Sequence, residues 1–123
     1  MAPTIGPYSP VVRAGSWLIC SGQLGLADSL LVEGGPGAQV TQAISNLASL
    51  LESEGSGLAD VVKTTVFLTD MGDFAEMNDA YVAAFGNNRP ARSAIAVVEL
   101  PLGALVEIEA WAYMSRSSAS SAG

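Results

Sequence analysis

The sequence predicts one domain of alternating strands and helices, in the order β-β-α-β-α-β-β. Three observations predict it. The 123 residues are 50% hydrophobic and only 14% charged, enough for one core and too few for two. Two segments repeat apolar residues at helical spacing. The remainder consists of short apolar, β-branched runs parted by turns that contain Gly or Pro.

Val11 to Ala14 and Ser16 to Gln23 read as a hairpin across Gly15-Ser16, the second run being Ser-Trp-Leu-Ile-Cys-Ser-Gly-Gln. Glu33-Gly34-Gly35-Pro36-Gly37 reads as a loop. Val40, Ile44, Leu47 and Leu51 then recur at helical spacing, widened by Ala43 and Leu50, with Gly55 where a helix C-cap belongs. Asp60 to Asp70 is rich in β-branched residues and predicts a buried strand with Val62, Thr64, Val66 and Leu68 on one face. Asp73 and Glu76 resemble an N-terminal capping pair. Phe74, Met77, Tyr81 and Phe85 form a second helical stripe that stops at Gly86. Two strands complete the order, about Ser93 to Val98 and Leu105 to Met114, joined across Pro101 and Gly103. The domain is expected over 1–114, with a flexible Ser-rich tail over 115–123.

Two helices cannot cover both faces of such a sheet. In the last strand Val106, Ile108, Ala110, Ala112 and Met114 suit packing under helices. The alternate positions Leu105, Glu107, Glu109, Trp111 and Tyr113 mix acids with large rings, which suits a subunit interface with polar pockets. A homo-oligomer is expected.

Composition narrows the function. Twelve acids against five bases give a formal charge of −7, a poor surface for phosphate backbones, so no nucleic-acid partner is expected. With no histidine, imidazole is absent as acid, base or ligand, so chemistry falls to carboxylates, Arg, Tyr, hydroxyls, backbone and water. No metal site is expected. Cys20, the single cysteine, lies in an apolar run and reads as a small buried hydrophobe. No apolar run has the length of a membrane span and no secretory signal is read, so a cytoplasmic protein is expected.

Three stretches and one acid are candidates for chemistry. Ile5-Gly6-Pro7-Tyr8-Ser9-Pro10 fixes a turn that presents Tyr8, either as packing of an N-terminal arm or toward a ligand. In Cys20-Ser21-Gly22-Gln23, Ser21 and Gly22 offer a hydroxyl and an open backbone N–H, or simply a strand end. Arg89-Pro90-Ala91-Arg92-Ser93-Ala94 puts a guanidinium fork at the start of a strand, matched to a substrate carboxylate or to an internal ion pair. For Arg89 the ion pair is the expectation. Glu107, inside an otherwise apolar strand, needs a reason to be there: activating a water or, equally, an interface salt bridge, a choice complicated by its neighbour Glu109 on the same side.

Taken in order, Ile-Gly-Pro-Tyr-Ser, Ser-Gly-Gln, Gln42-x-x-x-Asn46-Leu47, Val62-Lys63-Thr64-Thr65-Val66-Phe67-Leu68, Pro90-Ala91-Arg92-Ser93 and Val106-Glu107-Ile108-Glu109-Ala110 resemble the RidA (YjgF) family of imine deaminases from about Thr4 to Ala112. The resemblance implies an α+β, chorismate-mutase-like protomer, and a homotrimer whose sheets form a central barrel with an active site in each intersubunit cleft. It implies hydrolysis of enamine and imine intermediates, such as 2-aminoacrylate and 2-iminopropanoate, to a 2-oxo acid and ammonia without a cofactor. By motif, Arg92 would bind the substrate carboxylate with help from the backbone of Ala94. Tyr8, Ser21, Gly22 and Asn78 would line the cleft, and Glu107 would hold or polarise the attacking water. Ala94 stands where several deaminating relatives have cysteine. The Gly86–Arg89 loop and the Leu24–Gly35 segment depart from the family pattern too, which bears on substrate range.

Three other functions compete. A ribonuclease activity is attached to some family names, but the charge and the missing histidines oppose it. A non-catalytic module for 2-oxo acids or other small carboxylates would use Arg92 equally well. A specialised enzyme for a larger imine or a carbamate would need a wider cleft.

Overall fold

The last strand organises the chain in the computed structural model, which describes residues 6–115. Val106, Ile108, Ala110 and Ala112 of this strand are fully buried, while Trp111 and Tyr113 are exposed and Glu107 and Glu109 half-buried. A strand turns successive side chains to opposite faces, so this alternation fixes which face the helices cover.

Among the described residues seven strands and two α-helices run in the order β1 (Val11–Ala14), β2 (Trp17–Leu24), β3 (Leu26–Ala27), β4 (Leu30–Leu31), α1 (Gly35–Ser53), β5 (Val61–Leu68), α2 (Phe74–Phe85), β6 (Ala91–Ala96) and β7 (Val106–Tyr113). The main sheet has the order β1-β2-β7-β5-β6, antiparallel throughout except for the parallel pair β5 and β6 that α2 connects. Both helices lie on one face. Val40, Ile44, Leu47 and Leu51 of α1 and Met77, Tyr81 and Phe85 of α2 form one core with Leu18, Cys20, Val66, Ile108 and Ala110 from the sheet. The fold is α+β, as expected, and no helix among the described residues covers the other face. On it, the Trp17 ring meets Trp111 and Tyr113 edge-on at centroid distances of 5.9 and 5.0 Å.

Several local expectations are corrected. Val62 does not share the buried face: the β5–β7 register shifts between Val61 and Lys63, so Val61 takes the core place and Val62 is exposed. Such a bulge adds one residue to one strand and breaks the simple alternation of faces across it. The helix α1 begins at Gly35, inside the predicted loop, with Pro36 in its first turn where a missing N–H costs nothing. It ends at Ser53, with Glu54 as the cap and Gly55 just beyond at φ 81. Asp73 and Glu76 do not cap α2 together. Asp73 makes no side-chain cap bond, and Glu76 instead accepts the Gly37 N–H at 2.9 Å, tying the two helices. The small hairpin β3–β4 adds to the predicted order; Asp28 and Ser29 at its tip have φ 53 and 68, as a type I′ turn requires.

Two polar side chains of α1 hold the end of the sheet that matters most. Asn46 donates to the carbonyls of Leu24 and Leu26 at 3.1 and 3.0 Å while its own oxygen accepts from Gln42. Gln39, buried, accepts the Leu105 N–H at 2.9 Å. No helix among the described residues is long and apolar enough to cross a membrane. Residues 116–123 of the predicted tail lie outside the described residues.

Candidate active site

A cleft of about 360 Å³ opens where β2 and β7 meet, lined by Tyr8, Ser21, Gly22, Leu24, Pro101, Glu107 and Glu109. The Ser-Gly-Gln motif builds it. The β2–β7 register shifts between Cys20 and Gln23, so Ser21 and Gly22 bulge out of the ladder. Gln23 donates back to the Ser21 carbonyl at 3.2 Å. Ser21 fastens the N-terminal arm that carries Tyr8: its N–H donates to Pro10 O at 2.8 Å and its hydroxyl to Ser9 O at 2.7 Å.

Gly22 is there because of Glu107. A Cβ on Gly22 would stand 1.9 Å from Glu107 Oε2 and 2.7 Å from its Cδ. Only a residue with no side chain lets the carboxylate lie against the β2 backbone. Enclosure in this recess raises the Glu107 pKa above its ordinary value, and the like charge of Glu109 on the same face raises it further.

Arg92 is elsewhere. It pairs with Thr64 across β5–β6, on the helix-covered face and at the sheet edge, whereas Glu107 occupies the uncovered face. Its NH1 donates to Asn78 Oδ1 of α2 at 2.8 Å. The guanidinium carbon lies 4.9 Å from the Tyr81 ring centroid and 5.5 Å from that of Phe74. Among the described residues Arg92 makes no ion pair; the one found joins Arg13 to Glu54. Ala94 of β6 packs its methyl against the core. The predicted residues therefore fall into two groups, Tyr8, Ser21, Gly22 and Glu107 in the cleft, and Arg92, Asn78 and Ala94 at the β6 edge. The fold does not bring the two groups to one face of the sheet.

The remaining candidates are quiet. Arg89 makes no ion pair among the described residues and donates to the carbonyls of Gly86 and Asn88 instead. Cys20 is buried and its thiol is pushed up to about 11 by burial, the behaviour of a packing residue. Among the described residues no three acids or cysteines gather as a metal site would require. Sequence reasoning missed Leu24 and Pro101 as cleft walls, and Phe74 beside Arg92. Leu24 sits directly after Ser-Gly-Gln, which is signal enough; nothing local marks the other two.

The pattern of the family described as Endoribonuclease L-PSP matches residues 1–114. The chain belongs to this family. It is the RidA (YjgF) family that the motifs resemble. A 2-iminobutanoate/2-iminopropanoate deaminase of Mus musculus is 46% identical over 108 residues, covering 86% of this chain and 80% of the relative. A RutC family protein of Pyrococcus horikoshii is 44% identical over 111 residues, covering 89% and 88%. The crystal structure of RidA from an Antarctic Psychrobacter superposes with a TM-score of 0.88 at 41% identity, covering 92% of this chain and 93% of that one.

Proposed function

We propose that the protein is a cofactor-independent deaminase that hydrolyses 2-imino and 2-enamino acids, of the 2-iminopropanoate and 2-aminoacrylate type, to 2-oxo acids and ammonia. One observation carries this reading: Arg92 is held by an amide oxygen and two aromatic faces, none of which neutralises its charge. In a chain with twelve acids, a guanidinium seated on two rings and an amide, with no carboxylate partner among the described residues, suits an anion from outside. The relatives named as deaminases support the same class of reaction.

Glu107 supplies the chemistry. Its raised pKa suits a group that both gives and takes a proton. Protonated Glu107 delivers a proton to carbon 3 of the enamine, giving the iminium. Water then adds at carbon 2 and loses a proton to the Glu107 carboxylate. The carbinolamine takes that proton on nitrogen, ammonia leaves as the hydroxyl proton passes to the Glu107 carboxylate, and the 2-oxo acid remains with Glu107 protonated again. Orientation and one polarised water account for the acceleration.

The opposite-face geometry calls for a second copy. The placement of the two groups on opposite faces supports a shared site, in which Arg92 of one copy serves Glu107 of the next in a homotrimer joined over the uncovered sheet faces. A non-catalytic carboxylate-binding module is the second reading, because the Arg92 cradle alone meets its needs.

The test generates imines with an amino-acid oxidase and traps them with semicarbazide. Wild type lowers the semicarbazone yield, while Arg92→Ala and Glu107→Gln each lose at least about 100-fold in rate. Mixing the two inactive variants through unfolding and reassembly restores activity to about a quarter of wild type, because random pairing rebuilds sites with both groups intact. Folded wild type that leaves every imine untouched yet binds pyruvate favours the binding module. Absence of rescue on mixing sinks the shared site.

A further inference from the structure

Phe74 opens α2 with a ring that the helical pattern assigns to the core, yet it is 38% exposed. What it contacts is Arg92, at 5.5 Å. Tyr81, about two helical turns further on, lies under the same guanidinium at 4.9 Å and is itself fixed. Its hydroxyl is bonded to buried Thr64 at 2.6 Å and its ring packs on Phe85 at 4.7 Å. An arginine on an edge strand is otherwise free to sample many rotamers, which a ligand must then freeze.

From this geometry we propose that Phe74 and Tyr81 are positioning residues for Arg92. They hold its guanidinium so that NH1 is engaged by Asn78 and the Nε–NH2 edge is presented to a planar carboxylate. The proposal rests on the deaminase reading and names what makes its anion clamp rigid. Rings do this without a counter-charge, whereas an acid in either place would orient Arg92 and cancel it. The rings act on Arg92 and not on the reacting carbon, so they govern how tightly the carboxylate is held and leave the chemical step alone.

The experiment combines titration of pyruvate, a 2-oxo acid product, with steady-state imine hydrolysis for wild type, Phe74→Leu, Phe74→Tyr and Tyr81→Phe. Phe74→Leu weakens pyruvate binding and raises KM by about three- to tenfold, the span of a cation–π contact, with kcat unchanged. Phe74→Tyr keeps its ring in place and stays within about twofold of wild type, whereas Tyr81→Phe keeps the ring but frees it from Thr64 and weakens pyruvate binding by less than Phe74→Leu does. A thermal melt of Phe74→Leu close to wild type separates positioning from general loosening. Phe74→Leu that binds and turns over as wild type overturns the proposal, as does a fall in kcat together with Tm. Wild type that neither binds pyruvate nor hydrolyses imine overturns the deaminase reading and this proposal with it. Wild type that does both beside an unaltered Phe74→Leu overturns this proposal alone.

Discussion

The two halves of the candidate site hold their charges by opposite means. At the β6 edge, Arg92 is surrounded by what orients it: an Asn78 oxygen and the faces of Phe74 and Tyr81. At the β2–β7 cleft, Glu107 is placed by what is missing, the side chain of Gly22. The first arrangement leaves a full positive charge at the disposal of a ligand. The second presses a carboxylate against backbone beside a like charge, so that its charged form is less favoured. The roles proposed for them, a clamp and a proton carrier, need these different treatments. The clamp must stay ionised, and the carrier must change state.

The sharpest way to break the comparison is to fill the space beside Glu107. In Gly22→Ala the new methyl collides with Oε2, Cδ and Cγ of Glu107, the nearest contact being 1.9 Å. These atoms belong to a flexible side chain, so the carboxylate swings away and the fold survives, with stability within about 1 kcal/mol of wild type. Turnover falls by about ten- to 100-fold, since a displacement of about 1 Å at a reacting group costs that much. Pyruvate binding, which the proposed mechanism gives to the Arg92 half, changes little. Unchanged kcat in Gly22→Ala, measured beside a thermal melt, removes Glu107 placement from the mechanism.

A smaller effect is expected from the scaffold behind the cleft. Asn46 donates to two carbonyls of the segment that carries Leu24. Asn46→Ala leaves both without this donor and costs about 1–3 kcal/mol in urea unfolding. Hydrogen exchange should speed up over residues 24–31 while β6 keeps its protection. Uniform loosening of both regions erases the distinction drawn between them.

How much of this the sequence disclosed depends on the range of the forces involved. Periodicity is local, so the two helices, the hairpin and the alternating burial of β7 are legible from residue spacing alone. The bulge that exposes Val62 is not, because it is set by pairing with Trp111 and Ala112, far along the chain. The same limit hides the Phe74–Arg92 contact, which depends on how α2 lies beside β6. Gln42-x-x-x-Asn46 is legible as a motif but its task is not: it is a clamp on strand carbonyls, invisible until β2 and α1 are side by side. Arg92 and Glu107 stand out as charges in apolar strands. That they face opposite sides of the sheet emerges only from the strand order β7-β5-β6 with its register.

The finest contrast lies within the cleft, between Glu107 and Glu109. Burial is the first cause of the raised Glu107 pKa and the charge of Glu109 the second, so Glu109→Gln removes the lesser cause and leaves the greater. Glu107 then releases its proton at lower pH than in wild type, though still above an ordinary carboxyl. With a preformed imine as substrate, where water attack uses the carboxylate and no enamine protonation precedes it, activity rises with pH through the Glu107 pKa, and in Glu109→Gln this rising limb moves to lower pH. Stability moves in step. The folded chain binds the Glu107 proton more tightly than the unfolded chain, so the stabilising contribution is full below the ordinary carboxyl range. It is lost as pH rises through the raised value, and in Glu109→Gln that loss completes at lower pH. The pH–rate profile of kcat and the pH dependence of the urea midpoint, taken on both proteins, report the two shifts separately. A limb that stays in place in Glu109→Gln assigns the whole elevation to burial in the recess that Gly22 leaves. A limb that moves upward contradicts like-charge coupling between neighbours on one face of β7.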